Sequence, residues 1–523
     1  MKKINKPLAL FLTVVFLFSL TACGGGGSGG SSARNREPRP ETKEINGIVY
    51  TLNPLLTYDD IELTYFHFDQ DETVKYLAER FMELYPNIKV ITRYENVISY
   101  SDILLAMIAN GQSPDLMMQT DCDFVLSNML ALDIKEFWDE DPETYNLADT
   151  IREAGLGTFY VDAQFAVPVK FFPPGFFIDL NVLETLNLTA PTRRWTWDEM
   201  IQLIKDATVL DSPTGMAFYG LGYDNRLESF YGVAAGQEYI GEFGFNGKTF
   251  DLGVYAIGGQ QFADLKLGGY VAPRPETQAN EDWTGDWETW YGATGHVAVF
   301  SESFWTFQNL WNTEGFKQFN LDIVPYPVPA VRKEDAVAGT HNSIAIIDFG
   351  NVTTSCKHPR EAYELLKFMG FGIDGWKTRL ELYNNESITN PSGLPLRLDV
   401  MPMPITKDEY IQAEYLKIYT KGMAPEYVEH WREFFTSSMR PIPYGWRAIP
   451  GYWNFCDQYF NKIGIHGLVD SGKAKAADFV VEGTEQANKF HAEAMIDYFG
   501  PNGYNILSPE QIAEYQALID AAN

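Results

Sequence analysis

The chain has 523 residues, 45% of them hydrophobic, and carries 70 acidic against 40 basic side chains for a formal net charge of −30. So acidic a surface repels phosphate, which argues against nucleic acid, and it argues equally against lying flat on anionic lipid. The length and apolar content allow two or more lobes with a sizeable core.

Lys2, Lys3 and Lys6 make a positive start, Pro7 to Leu20 is almost wholly apolar, and small Thr21 and Ala22 precede Cys23. This is the layout of a secretory signal peptide over residues 1–22. A permanent membrane helix is the competing reading. The uncharged stretch from Pro7 to Cys23 is only near the lower limit of about 17 residues for a span, and no basic flank follows to stop transfer. Leu20-Thr21-Ala22-Cys23 resembles a bacterial lipobox, which implies cleavage before Cys23 and diacylation of its sulfur. Residues 23–46 then give the lipidated Cys23 and a stretch rich in Gly, Ser, Pro and charge, expected to be a flexible linker. Such a linker spans roughly 25 Å, so the expected location is the outer face of the cell membrane, held by the lipid alone. Cys122, Cys356 and Cys456 remain, an odd number far apart in sequence, and read as buried thiols rather than a disulfide framework.

The next stretch alternates strand and helix. Residues 61–68 read as a strand, and 71–86 as a helix whose Val74, Leu77, Ala78, Phe81, Leu84 and Tyr85 share one face before Pro86 ends it. Residues 88–95 are a strand, 101–111 a helix closed by Gly111, and 114–120 a strand. This order implies parallel pairing in an α/β sheet. Residues 164–169 are a short strand, and 196–208 a helix opened by a Thr196/Glu199 capping box. Residues 210–280 have weak periodicity, 295–300 are a strand, 358–371 a helix and 475–499 helical. Residues 385–455, rich in Pro and aromatics, resist assignment.

Six motifs in order resemble the bacterial extracellular solute-binding proteins of family 1, the sugar-binding receptors of ABC importers that include maltose-binding protein. They are "FMELYPNIKV" (81–90), "SPDLMMQTDCDFVLSNMLALDI" (113–134), "FAVPVKFFPPGFFIDLNVLETLNLTAPTRRWTWDEM" (165–200), "GHVAVFSESFW" (295–305), "DIVPYPVPA" (322–330) and "HPREAYELLKFM" (358–369). Ile178-Asp179-Leu180-Asn181 stands where the family usually has Tyr-Asn, and Ser303-Phe304 where it has Gly before the Trp. These departures bear on the ligand rather than the fold. The resemblance implies an α/β, two-lobed, type II periplasmic-binding-protein-like fold with a hinge. Its chain crossings are expected near Val167–Lys170, Val324–Val328 and Phe371–Gly375. Residues 47–166 plus about 326–372 would form the N-terminal lobe, and about 167–325 plus 373–523 the C-terminal lobe. Solute would bind between them, at the carboxyl ends of the strands.

A sugar site needs planar polar groups for hydroxyls and aromatic plates for C–H faces. Asp69 follows the first strand, though capping the helix near Asp71 is an equal role for it. Gln119, Asp121 and Asp123 follow the third; Asp121 is the first choice, with an N-cap for the helix near Phe124 as its plain alternative. Trp283, Trp287 and Trp290 share one helix face and read as core. Glu302 and Trp305 lie just past a strand, where a binding loop belongs. Tyr223 and Asp224 sit in a "GLGYDNR" turn that solvent alone would explain. The stretch 440–455 interleaves prolines with Tyr444, Trp446, Tyr452 and Trp453; Trp446 and Trp453 are candidate stacking platforms, and Arg447 could fork onto an acidic sugar.

No GxxxxGK[ST] loop is present, so energy coupling must lie in a separate subunit. No HExxH or calcium loop occurs, and no metal or cofactor is expected. The expectation is a monomeric, non-enzymatic receptor that captures a solute, expected to be an oligosaccharide, and delivers it to ABC permease subunits. A surface glycosidase, which needs two facing carboxylates, and a binder of a non-sugar solute such as a peptide are the alternatives.

Overall fold

The computed structural model describes residues 39–153, 161–212, 215, 217–223, 227–235, 243–273, 295–303, 323–399, 401–436, 438–443 and 445–523. Order begins earlier than the linker expectation had it. Strands β1 (Thr42–Ile45) and β2 (Ile48–Thr51) pair as a hairpin. Its turn is Asn46-Gly47, with φ of 52° and 78°. Both residues are left-handed, as a two-residue hairpin turn of matching twist requires, and Asn-Gly supplies that. Just upstream, the Arg39 guanidinium donates to the carbonyls of Asn53 (2.9 Å) and Leu56 (3.2 Å). Residues 39–46, expected as part of the linker, are therefore tied to the folded body.

Strand β3 (Ile61–His67) lies between its parallel neighbours β4 (Ile88–Tyr94) and β5 (Leu116–Met118). The helix Asp71–Leu84 joins the first two and buries Val74, Leu77, Ala78, Phe81 and Leu84, the face its periodicity marks. Strand β6 (Val167–Phe172) follows in the same sheet. After Pro173, strand β7 (Pro174–Asp179) opens a second sheet with β8 (Tyr219–Leu221), β9 (Val297–Ser303) and β10 (Ile323–Tyr326), in the order β10-β7-β9-β8. Strand β11 (Thr340–Val352) returns to the first sheet, and β12 (Ser438–Pro443) completes it in the order β12-β11-β5-β3-β4, with β6 also on β11.

Strand direction decides what faces what. Both β5 and β6 pair antiparallel to β11, so they run parallel to each other and to β3. The carboxyl ends of β3, β5 and β6 therefore point the same way, toward Pro173. In the second sheet, Pro174 pairs with Ser303 and β8 runs parallel to β9. The carboxyl ends of β8 and β9 thus lie beside the same crossing.

The chain passes between sheets at Pro173 and again over residues 327–339. A third passage was expected at Phe371–Gly375, and the structure corrects it. That segment joins the helices Pro359–Met369 and Ile373–Asn384, both of which pack on the helix Asp71–Leu84 beside the first sheet. The third passage comes later, between the helix Glu409–Tyr419, packed on Ile373–Asn384, and the helix Pro425–Thr436, packed on β10.

The long helix Val480–Phe499 bridges the two sides. Near its middle, Asn488 exchanges hydrogen bonds with the backbone of Phe250 (2.7 and 3.1 Å). At its end, the Phe499 ring stacks on Phe165 at 5.9 Å. Its 20 residues extend about 30 Å, enough to act as a strut. Among the described residues no helix is long and apolar enough to cross a membrane, and Cys122, Cys356 and Cys456 are free thiols.

Candidate functional site

The carboxyl-end edge of the first sheet is a buried polar cluster. Asp69, two residues past β3, forms an ion pair with Lys170 at 3.1 Å. It does not cap the following helix: Gln70 holds the cap position, without a side-chain bond, and its N–H donates to Asp69 at 2.7 Å. Lys170 also pairs with Asp348 of β11 at 3.3 Å, the residue opposite it in the sheet register. Asp348 in turn pairs with the Arg447 guanidinium at 2.9 Å. The other arm of Arg447 donates to the carbonyls of Gln119 (3.0 Å) and Thr120 (2.7 Å), while the Gln119 amide donates back to Arg447 O at 3.0 Å.

This chain of charges is self-neutralising: two carboxylates and two cations, all buried. Burial pushes the Asp69 carboxyl up, but the Lys170 ammonium and the Arg379 guanidinium outweigh it and hold it below its ordinary value. Burial likewise pulls Lys170 down, and its two carboxylates more than reverse that. Beside them His67 is fully buried, and burial lowers its imidazole to about 4, so it is neutral near pH 7. Arg447, expected as a fork for an acidic sugar, is instead spent inside the protein on Asp348 and two loop carbonyls.

Asp121 takes its plainer role as well. It caps the helix Cys122–Ser127, accepting the Phe124 N–H at 2.7 Å, and burial raises its carboxyl. Asp123, two residues on in this helix, reaches outward and accepts Gly451 N–H at 2.7 Å and Tyr498 O–H at 3.0 Å. Gly451 opens the helix Tyr452–Phe455, which presents Trp453 with 40% of its surface exposed. Asp69, Asp121, Arg447 and Trp453 are thereby gathered at one edge.

Tyr223, half-buried, follows β8, and Glu302 lies near the end of β9 opposite Gly175. These two sit on the second sheet at the end beside Pro173. Trp446 lies on the helix Gly445–Ala448. Cys23, Asp224, Trp283, Trp287, Trp290 and Trp305 fall outside the described residues.

Two residues of this edge were not singled out from sequence for the site. Lys170 and Asp348 each carry a signal: a lone charge within an apolar strand, in "VPVKFF" and "SIAIIDFG", cannot be buried without a partner. Asp123 was named with Gln119 and Asp121 as following the third strand, but nothing local marked its partners, which lie 328 and 375 residues away. A separate pocket of about 630 Å³ lies between Phe171, Met403, Ile405, Leu416 and Phe435, and contains none of the expected site residues.

Residues 68–370 match the family model of the bacterial extracellular solute-binding proteins. The chain belongs to this family. Solved structures agree on the fold of this solute-binding protein. An ABC substrate-binding protein from Listeria monocytogenes, in complex with cycloalternan, superposes with a TM-score of 0.56 at 18% identity, covering 82% of this chain and 99% of that one. The sugar-binding protein MalE from Xanthomonas citri gives 0.59 at 11% identity, covering 83% and 98%. A cyclic alpha-maltosyl-1,6-maltose binding protein from Arthrobacter globiformis gives 0.56 at 14%, covering 82% and 98%. No curated protein sequence matches the chain. At these identities the likeness carries the two-lobed α/β fold.

Proposed function

We propose that this protein is a lipid-anchored receptor that binds a neutral oligosaccharide between its lobes and delivers it to an ABC permease. The observation that carries the choice of ligand is the closed charge chain Asp69–Lys170–Asp348–Arg447. Each cation in it already faces carboxylate or carbonyl oxygen, so it offers no spare positive charge to an acidic sugar. Neutral hydroxyls need only dipoles and aromatic plates, and Trp453 presents such a plate. The sugar complexes named for the structural relatives support the same class. The lipobox ending at Cys23 supports the anchor. We divide the lobes at Pro173 and at residues 327–339, and count residues 373–419 with the first lobe because those helices pack beside its sheet.

The function is tested by thermal shift with maltotetraose, a cyclic α-glucan, a short peptide and a uronic-acid oligomer, followed by chromatography of the mixture. Stabilisation by a neutral glycan that stays intact is expected, with micromolar affinity, about −8 kcal/mol. Stabilisation by the uronic-acid oligomer or the peptide alone would overturn the ligand class. Progressive shortening of the glycan would make the protein a glycosidase.

A further inference from the structure

The Pro450–Gly451 peptide unit is held from both sides. Its carbonyl oxygen accepts from His491 Nδ1 at 2.9 Å, and its N–H donates to Asp123 at 2.7 Å. Gly451 has φ 78°, and a Cβ there would lie 2.4 Å from Phe490 O, so no other residue fits the gap between the turn and the long helix. The Trp453 N–H is directed at the same carboxylate. Asp123 belongs to the first turn of the helix Cys122–Ser127 after β5, and His491 and Tyr498 to the strut helix Val480–Phe499. Trp453 stands two residues beyond the clamped peptide.

We propose that Asp123 is a positioning residue for binding: its carboxyl group fixes the Pro450–Gly451 peptide and so aims Trp453 at the solute, under control of its own protonation. This inference rests on the receptor function above for its consequence, and on the clamp alone for its mechanism. Asp123 is partly buried, and desolvation outweighs its three hydrogen bonds, which favour the ionised form, to raise its carboxyl to about 6. Opening the clamp returns the carboxylate to water, so protonation favours the closed clamp, which loosens as pH rises through about 6. The titratable groups around it are Asp121 and Cys122 at the start of its own helix, Asp497, Tyr498 and His491 on the strut helix, and Arg447 near Asp121. Burial drives the Cys122 thiol and the Tyr498 hydroxyl far up and His491 down to about 4, so those three keep their charge state between pH 5 and 7.5. Asp121 is also raised, and a variant at Asp123 separates the two carboxyls.

The experiment is amide hydrogen exchange of the full-length protein at pH 5 and 7.5, corrected for intrinsic rates and read over residues 449–456. Wild type should be protected roughly tenfold more strongly at pH 5. Asp123→Asn, which keeps an acceptor without the charge, should match the acid-state wild type at both pH values. Asp123→Ala, with no acceptor, should be unprotected at both. Equal protection of wild type at the two pH values, or a wild-type pH response that persists in Asp123→Asn, overturns the proposal. The same three proteins are then titrated with maltotetraose and the cyclic α-glucan. Wild-type affinity for whichever glycan binds should tighten several-fold in acid, and Asp123→Asn should lose that dependence. If wild type binds neither glycan, the receptor function fails for those sugars, while the exchange pattern still decides the clamp.

Discussion

Asp69, buried, and Asp123, partly buried, are carboxylates on the same sheet edge, and their protons respond in opposite directions. Asp69 faces an ammonium and is held below its ordinary value, whereas Asp123 faces only N–H and O–H donors and is raised to about 6. Burial raises both; the difference is the pair of cations, Lys170 and Arg379, that act on Asp69. A buried carboxylate with a full cationic partner is a fixed structural charge, and one with dipolar partners alone becomes a proton-responsive element.

The largest effect should come from breaking the first case. Lys170→Met leaves Asp69 and Asp348 buried without their ammonium, and urea denaturation at pH 7.5 should show a loss of about 3–5 kcal/mol. Next is the second case. Removing the ionised charge in Asp123→Asn should raise stability at pH 7.5 by up to about 3 kcal/mol, the two-unit shift converted at 1.36 kcal/mol per unit. The sign can be followed with pH. A raised carboxyl gives stability that is complete below its ordinary value near 4 and is lost as pH rises through about 6, so the advantage of Asp123→Asn should vanish by pH 4. Asp69 is the reverse: its stability is present above its ordinary value and lost as pH falls beneath it. A urea series at pH 7.5, 5 and 3.5 should show Asp69→Asn changing only the most acidic part of the profile relative to its neutral baseline. The smallest stability effect belongs to Trp453→Ala. Its half-exposed ring should cost about 1 kcal/mol by the same measurement, while glycan affinity falls tenfold or more.

Much of the first sheet was legible. The period of Val74, Leu77, Ala78 and Phe81 marked the buried face of the first helix, and the strand–helix alternation gave parallel β3, β4 and β5. The Thr196/Glu199 capping box forms as its spacing predicts. In the site, Asp69 and Asp121 were placed at the correct strand ends by local order alone. Their duties were not readable: Asp69 was expected to cap or to meet solute, and it meets Lys170, which is 101 positions further along. The hairpin at Asn46-Gly47 was readable and was passed over, because the charged, proline-rich residues before it masked a strong turn signal.

Residues 385–455 were the opposite case. The helix Glu409–Tyr419 buries Ile411, Tyr415, Ile418 and Tyr419, and the helix Pro425–Thr436 buries Tyr427, Trp431 and Phe434, each set at helical spacing. The period was there to be read, and the prolines and aromatic residues around it obscured the stripe. The sequence by itself determined the acidic, α/β character of the chain and the order of its first elements, because each follows from composition, local period or short motif. Only the tertiary structure decided which charges cancel and which stay responsive. That depends on a lysine in β6, an aspartate in β11 and a glycine turn beside the last long helix, brought together from hundreds of residues apart.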